Sequence, residues 1–302
     1  MKHRILLFGG SGQIGWELQR TLTSMGEVHL VSRSAVDLGN QHCDLRPLFD
    51  EFRPTVVVNA AAYTAVDTAE TERESADRLN AEFPAQLAAE AKSQDALLVD
   101  YSTDYVFDGR KPEGYSENDE TSPVNYYGLT KLKGLQAIQS SGCRHLVFRV
   151  TWVYSSRRSN FLKTILRLIR TRDSLNVIDD QLGVPTSARW VAEMTAMSLL
   201  LMDRGVGSEG VFNLVPSGET SWFGFAQEIA AAAETIGFDL RMTADAIQPI
   251  PTTEYPTPAA RPANSRLSTE KLKQTFGFET PDWRAFVPLV LAELMEAESV
   301  QS

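Results

Sequence analysis

The chain has 302 residues, 43% of them hydrophobic and 23% charged, the make-up of a soluble globular protein with room for one large domain or one large and one small. A formal net charge of −10 and a pI near 5.0 argue against nucleic acid or an anionic membrane as the main partner, because both repel an acidic surface; an anionic small molecule in a locally basic pocket stays open. The two cysteines, Cys43 and Cys143, match no disulfide or metal framework and fit a reducing cytosol.

Lys2-His3-Arg4 precedes only four apolar residues, Ile5 to Phe8, before Gly9-Gly10, which is too short for the core of a signal peptide. No run approaches the ~18 apolar residues of a membrane helix, so a cytoplasmic protein is expected. Residues 4–8 predict a buried strand, and Gly9-Gly10-Ser11-Gly12-Gln13-Ile14-Gly15 follows at once. Ile14, Leu18 and Leu22 then recur at helical spacing. In such a strand–glycine–helix unit Gly9, Gly12 and Gly15 let the chain turn sharply, admit a pyrophosphate to the backbone and let helix pack on strand. The helix N-terminus, with Gln13 and Ile14 in its first turn, faces the phosphates.

The second predicted strand, residues 27–31, ends in Ser32-Arg33-Ser34. An NAD-selective site usually places a carboxylate here for the ribose hydroxyls, whereas a guanidinium suits a 2′-phosphate through charge-assisted bonds. Arg33 therefore favours NADPH and leaves NADH open. The third strand, residues 55–59, runs into Ala60-Ala61-Ala62-Tyr63-Thr64, where small residues allow a cofactor close to the backbone. Helices are expected over residues 67–80 and 84–94.

The apolar run 96–99 predicts a fourth strand leading into Ser102-Thr103-Asp104-Tyr105-Val106-Phe107-Asp108-Gly109. A polar loop, 109–124, precedes a helix over 127–139 that carries Tyr127-Gly128-Leu129-Thr130-Lys131. Positions four apart share a helix face, so the Tyr127 hydroxyl and Lys131 ammonium can meet one site. A free tyrosine, with a pKa of about 10, is a poor acid near neutrality, and a fixed ammonium is expected to draw that pKa down. A hydroxyl at the strand end, Ser102 or Thr103, supplies a third contact to a substrate oxygen.

Residues 145–149 predict a fifth strand, and strand–helix alternation to this point implies right-handed βαβ crossovers and a parallel, doubly wound α/β sheet. Beyond Val150 the pattern changes. Residues 151–154 read as a loop, 160–172 as a basic amphipathic helix, 175–178 as a short strand and 180–186 as a rigid polar turn. Helices are expected over 190–202 and 222–236, a last sheet strand over 211–214, and a terminal helical pair. Residues 248–262 hold five prolines and read either as an ordered wall or as a flap. The expected division is a dinucleotide-binding (Rossmann) domain over 1–150, completed by about 187–215, with the other segments of 151–302 forming a smaller substrate-binding domain.

Tyr-x-x-x-Lys with an upstream Ser/Thr and Gly-x-x-Gly-x-x-Gly resembles the extended short-chain dehydrogenase/reductases. Residues 102–109, Tyr127 to Lys131, Arg149-x-x-Trp152-Val153-Tyr154, Asp180-Gln181-x-Gly183-x-Pro185-Thr186 and Arg261-Pro262-x-x-Ser265 together resemble, within that group, the dTDP-4-dehydrorhamnose reductases over about residues 4–295. The resemblance implies reduction of a 4-keto dTDP-sugar with NADPH or NADH as hydride donor, and catalysis by Thr103, Tyr127 and Lys131. It implies that Tyr101 lies beside the cofactor, that Asp44 and Leu45 contact the adenine, and that Asp104 and Trp152 face the sugar, with Arg261 as diphosphate partner. The acidic helix bearing Glu293, Glu296 and Glu298 is a candidate homodimer contact or divalent-ion site, although no motif supports Mg2+; a solvated face explains it better. Rival readings are a nucleotide-sugar epimerase or dehydratase and a non-catalytic regulatory subunit of the same family. A dehydratase usually carries an acid pair after the Thr, where this chain has Asp104 and Tyr105. A regulatory subunit would be expected to have lost part of the Thr103–Tyr127–Lys131 set.

Overall fold

Strand and helix alternate through the first half of the molecule, as the apolar runs require. The structure, a computed structural model, describes residues 3–300, so Lys2 and the outermost ends of the two expected domains lie outside the described residues. The strands are β1 (His3–Phe8), β2 (Gly26–Leu30), β3 (Val56–Asn59), β4 (Leu97–Thr103) and β5 (His145–Val150). Between them run α1 (Gln13–Thr21), α2 (Arg46–Phe52), α3 (Arg73–Asp77), α4 (Phe83–Ser93) and α5 (Tyr126–Ser141). The side chain of Asn125 caps α5 by accepting the Gly128 N–H at 2.8 Å, and Gly142 closes the helix at φ +70°, a left-handed turn that costs glycine nothing.

Two elements differ from expectation. β4 runs past the apolar stretch through Asp100, Tyr101 and Ser102 to Thr103, all buried, because neighbours inside the fold satisfy or balance most of its polar groups. The helix expected over 67–80 is broken into a 3-10 turn at Thr68–Glu70, α3, and a π-turn at Arg78–Glu82 that feeds α4. Pro84 stands four residues after Asn80 and has no N–H to offer the Asn80 carbonyl, so a regular helical bond is missing there. Gly134 of α5 fills the resulting approach: a Cβ on it would lie 2.0 Å from the Asn80 carbonyl oxygen.

The second half supplies β6 (Val153–Tyr154), α6 (Phe161–Ile169), β7 (Leu175–Ile178), β8 (Leu182–Gly183), β9 (Thr186–Ser187), α7 (Ala188–Asp203), β10 (Gly210–Asn213), β11 (Thr220–Ser221), α8 (Trp222–Ile236), β12 (Ile247–Ile250), α9 (Glu270–Phe276) and α10 (Val287–Ser299). β10 returns to the first half, giving a six-stranded sheet of order β10-β5-β4-β3-β1-β2 in which every pairing is parallel. This is the doubly wound α/β fold. Residues 151–154 and 180–186, expected as loop and turn, contain short strands: β6 pairs with β9 and β8 with β11. The proline-rich stretch is a wall, since β12 pairs with β7, Thr252 Oγ1 donates to Asp180 Oδ1 at 2.5 Å and the Ala259 N–H to Asp67 at 3.1 Å.

Side chains alternate along the strands. Ile5 and Leu7 join one core with Leu18, Trp190 and Val191, whereas Leu6 and Phe8 join another with Phe49, Phe83 and Leu87. A third cluster, around Leu162, Ile165, Phe225, Ile229 and Trp283, is built mainly from the second half. The carboxyl ends of β1, β3 and β4 all open on the same edge of the sheet, and Val106 and Phe107, just past β4, belong to the third cluster.

Candidate active site

Steric limits shape the floor of the cleft. Gly9, at φ +76°, would place a Cβ 2.4 Å from the Ala60 backbone, and a Cβ on Gly15 would lie 2.2 Å from the Gly9 carbonyl oxygen. The Gly12 N–H closes the turn on Gly9 O at 2.9 Å. Ile14 packs on the core. The Gln13 side chain does something the motif does not announce: it donates to the Val153 carbonyl at 3.2 Å and accepts from Ser155 and Asn160, each at 2.9 Å. Only its main chain is free for a phosphate, while its amide ties the segment before α6 to the start of α1.

Past β2, Arg33 is exposed and without a hydrogen bond or ion pair among the described residues; Ser32 and Ser34 bond to each other at 2.8 Å. Asp44 Oδ1 accepts the Arg46 N–H at 3.0 Å and Leu45 is buried. Ala62 and Tyr63 are half-buried and Thr64 exposed. Asn80 locks this loop by accepting from the Tyr63 N–H at 2.9 Å and donating to both the Tyr63 carbonyl and Thr130 at 3.0 Å. Sequence reading missed Asn80; its signal was Pro84, four residues on.

Tyr127 and Lys131 share the inner face of α5. Gly128 lets that helix approach the turn after β4, where a Cβ would stand 2.1 Å from the Tyr105 carbonyl oxygen. The Tyr105 ring meets the Tyr127 ring edge-on at 5.8 Å. Lys131 is 4% exposed and makes no hydrogen bond or ion pair among the described residues. The charge that acts on it is Asp100, which accepts from Asn59 Nδ2 at 2.6 Å. Burial lowers the Lys131 pKa and the Asp100 charge opposes that fall. Burial likewise raises the Asp100 carboxyl, and Lys131 opposes the rise. Burial pushes the Tyr127 phenol well up, reinforced by the Asp104 charge and eased by the neighbouring Thr103.

The expectation that Lys131 draws Tyr127 down is therefore reversed here. Desolvation moves the two groups in opposite directions, so the phenol holds its proton more firmly than a free tyrosine does. Thr103 Oγ1 donates to Asp104 Oδ1 at 3.1 Å and accepts the Tyr105 N–H at 3.2 Å. Asp104 is buried and its carboxyl is pushed up to about 6, chiefly by burial, with Ser265, Thr103 and Thr151 opposing; its Oδ2 is buried without a partner.

Other expected residues are placed as follows. The Tyr101 hydroxyl is bonded to Thr195 of α7 at 2.9 Å, on the face of β4 opposite Asp100, so only its main chain can meet a cofactor. Trp152 is half-buried and stacks on Trp222 with ring centroids 3.6 Å apart. Arg261 binds Asp67 through both terminal nitrogens, at 2.5 and 2.7 Å, and also the Ala259 carbonyl, so a substrate diphosphate would have to share it. On the acidic helix, Glu293 pairs with Arg189 and accepts from Ser156 at 2.7 Å, and Glu298 pairs with Arg170 at 2.6 Å. Among the described residues no group of three or more His, Cys, Asp or Glu could hold a metal ion, and no helix is long and apolar enough to cross a membrane.

A glycine turn after the first parallel strand, with a Tyr-x-x-x-Lys pair of half-buried tyrosine and buried lysine beside the fourth, defines a nicotinamide-dinucleotide oxidoreductase of the short-chain class. Comparison with known proteins narrows this. The family model described as RmlD substrate binding domain matches residues 2–296. A dTDP-4-dehydrorhamnose reductase of Burkholderia thailandensis is 45% identical over 97% of this chain and 99% of its own length. One from Escherichia coli K12 is 41% identical over 98% and 99%. The crystal structure of a dTDP-4-dehydrorhamnose reductase from Bacillus anthracis in complex with NADP is 31% identical, with a TM-score of 0.88 over 97% of this chain and 100% of that one. The chain belongs to the dTDP-4-dehydrorhamnose reductase family.

The electrostatic coupling of Lys131 and Asp100 generates a pH signature. In the wild type Lys131 titrates below its ordinary value when folded, so it binds a proton less readily than in the unfolded chain and stability drops as pH falls through that folded value. Lys131→Met removes this term. It also lets the Asp100 carboxyl climb further above its unfolded value, so the folded variant binds a proton more readily and gains stability as pH falls through the raised value. Both effects have one sign. Denaturant unfolding from alkaline pH down to the carboxylate range should show Lys131→Met gaining on the wild type by about 1.4 kcal/mol per unit of pKa difference, and a difference that is flat or of opposite slope contradicts the coupling.

Proposed function

We propose that the protein reduces the 4-keto group of dTDP-4-dehydrorhamnose (dTDP-4-dehydro-6-deoxy-L-mannose) to give dTDP-L-rhamnose, with NADPH as hydride donor, and so supplies a nucleotide sugar to cell-surface polysaccharide synthesis. The sheet with its glycine turn serves as the dinucleotide-binding part and the segments around the third core cluster as the substrate-binding part. The observation that carries the reading is the intact set of Thr103, Tyr127 and buried Lys131 at one sheet edge. The residues fit the cofactor: the glycine cradle would be filled by any Cβ, and among the described residues the buried Lys131 ammonium has no partner within hydrogen-bonding distance.

When bound, the dihydronicotinamide supplies a hydride to the carbonyl carbon. Thr103 and Tyr127 hydrogen-bond the carbonyl oxygen, and Tyr127 delivers its proton to the developing alkoxide. The raised phenol pKa suits that role, since an acid must be protonated when the reaction begins. Lys131 holds the nicotinamide ribose and offsets the phenolate left behind. A dehydratase would need a second acid where Tyr105 stands, and a regulatory subunit would not need the intact set. Arg33 supports NADPH over NADH by its free guanidinium beside the adenosine end.

The direct test is loss of NADPH absorbance on adding a 4-keto dTDP-sugar. Tyr127→Phe should lower kcat about 10²–10⁴-fold and leave the NADPH dissociation constant unchanged; near-wild-type turnover removes Tyr127 from the chemistry. Arg33→Ala should weaken NADPH by about 1.5–3 kcal/mol, the usual range for a hydrogen bond to a charged group, and leave NADH untouched. Equal change for both cofactors, or none, returns Arg33 to solvent.

A further inference from the structure

Trp152 is a bulky residue held at φ +46°, in the left-handed region that side chains other than those of Gly, Asn and Asp seldom occupy. Its surroundings over-determine that pose. The Trp152 carbonyl accepts the Thr186 N–H at 3.2 Å. Its indole lies against Trp222, with rings 14° from parallel. Gly183 also abuts it: a Cβ there would stand 2.5 and 2.7 Å from two carbons of the Trp152 ring.

Neither neighbour is free to yield. Gly183 pairs with Thr220 in the β8–β11 ribbon, and Leu182 beside it donates to Ala263 O at 2.8 Å and accepts the Ser265 N–H at 2.7 Å. Trp222 opens α8, and its Nε1 donates to Gln181 at 3.2 Å, which in turn donates to Thr252 at 3.0 Å. The assembly borders the reacting groups, because Thr151, next to Trp152, and Ser265 stand close enough to the buried Asp104 carboxyl to oppose the rise of its pKa. Trp152 Nε1–H itself has no hydrogen-bond partner among the described residues.

We propose that Gly183 and Trp222 are positioning residues that clamp the Trp152 indole at the sugar end of the cleft. They fix where its free N–H meets a hydroxyl of the nucleotide-sugar's hexose ring and thereby set the ring's pose for reduction. The inference rests on the function proposed above. It explains why position 183 tolerates no side chain although its own φ does not demand glycine: the obstacle is an indole that cannot move away.

The test is a cycle of Gly183→Ala, Trp152→Phe and the double variant, with Trp222→Leu and Trp222→Phe alongside, using the full chain. Gly183→Ala should lower kcat/KM for the nucleotide sugar by up to about a hundredfold, as expected of a misplaced positioning contact, with the NADPH dissociation constant unchanged. In the Trp152→Phe background, where the smaller ring leaves room, the same substitution should cost far less. Trp222→Phe should retain more kcat/KM than Trp222→Leu. Circular dichroism gives a readout independent of activity: the couplet of the stacked indoles should vanish in Trp222→Leu and weaken in Gly183→Ala. Equal effects of Gly183→Ala in both backgrounds, an unaltered couplet, or a parallel loss of NADPH affinity would overturn the assignment. A wild type that binds NADPH but does not oxidise it with the sugar would instead defeat the functional reading, and the dichroism cycle would still report on the clamp.

Discussion

An ammonium group sunk beneath the carboxyl edge of a parallel sheet is the constraint on which the rest of this structure turns. Burying Lys131 costs on the order of several kcal/mol before compensation. The protein offsets part of that with Asp100 on the next layer of β4, itself held by Asn59 at 2.6 Å. That choice explains an otherwise odd strand, whose middle is polar and yet wholly buried. It also fixes α5 against the sheet, because the Asp100 charge acts on the lysine only if the helix comes close.

Close approach is achieved by removing side chains rather than by adding contacts. Gly128 admits the turn after β4, and Gly134 admits the Asn80 carbonyl. Pro84 withdraws an N–H from that same carbonyl, so the chain there widens into a π-turn, and the Asn80 side chain can hold Tyr63 and Thr130 at once. One residue thus couples the loop after β3 to α5. A comparable coupling runs through Gln13, whose amide joins the glycine turn to the segment leading into α6. The glycine turn and the segment leading into α6 are therefore fastened to each other through side chains.

Much of this was legible in the sequence, for identifiable reasons. Fully buried parallel strands read as apolar runs, and glycines at fixed offsets after the first strand read as a phosphate turn, because both follow from local sterics. The order of elements then gave the sheet, and Tyr127 and Lys131 declared themselves through helical spacing. What stayed hidden depends on distant partners. The burial of Asp100, the occupation of Arg261 by Asp67 and the engagement of the Tyr101 hydroxyl by Thr195 each require knowing what lies across the fold. The pKa of Tyr127 is the sharpest case. From spacing alone a lysine four residues away should lower it, but desolvation, which spacing does not report, dominates and raises it.

Everything chemical in this account rests on Tyr127 entering the reaction as a protonated phenol. Single-turnover oxidation of enzyme-bound NADPH by a 4-keto dTDP-sugar, followed across pH with sugar in excess, examines that state directly. A rate that holds steady above neutrality and falls only on the alkaline side, where the raised phenol finally ionises, is the predicted result. A rate that climbs as pH rises through the alkaline range would mean that the phenolate is the active form, and would contradict the assignment of Tyr127 as the acid.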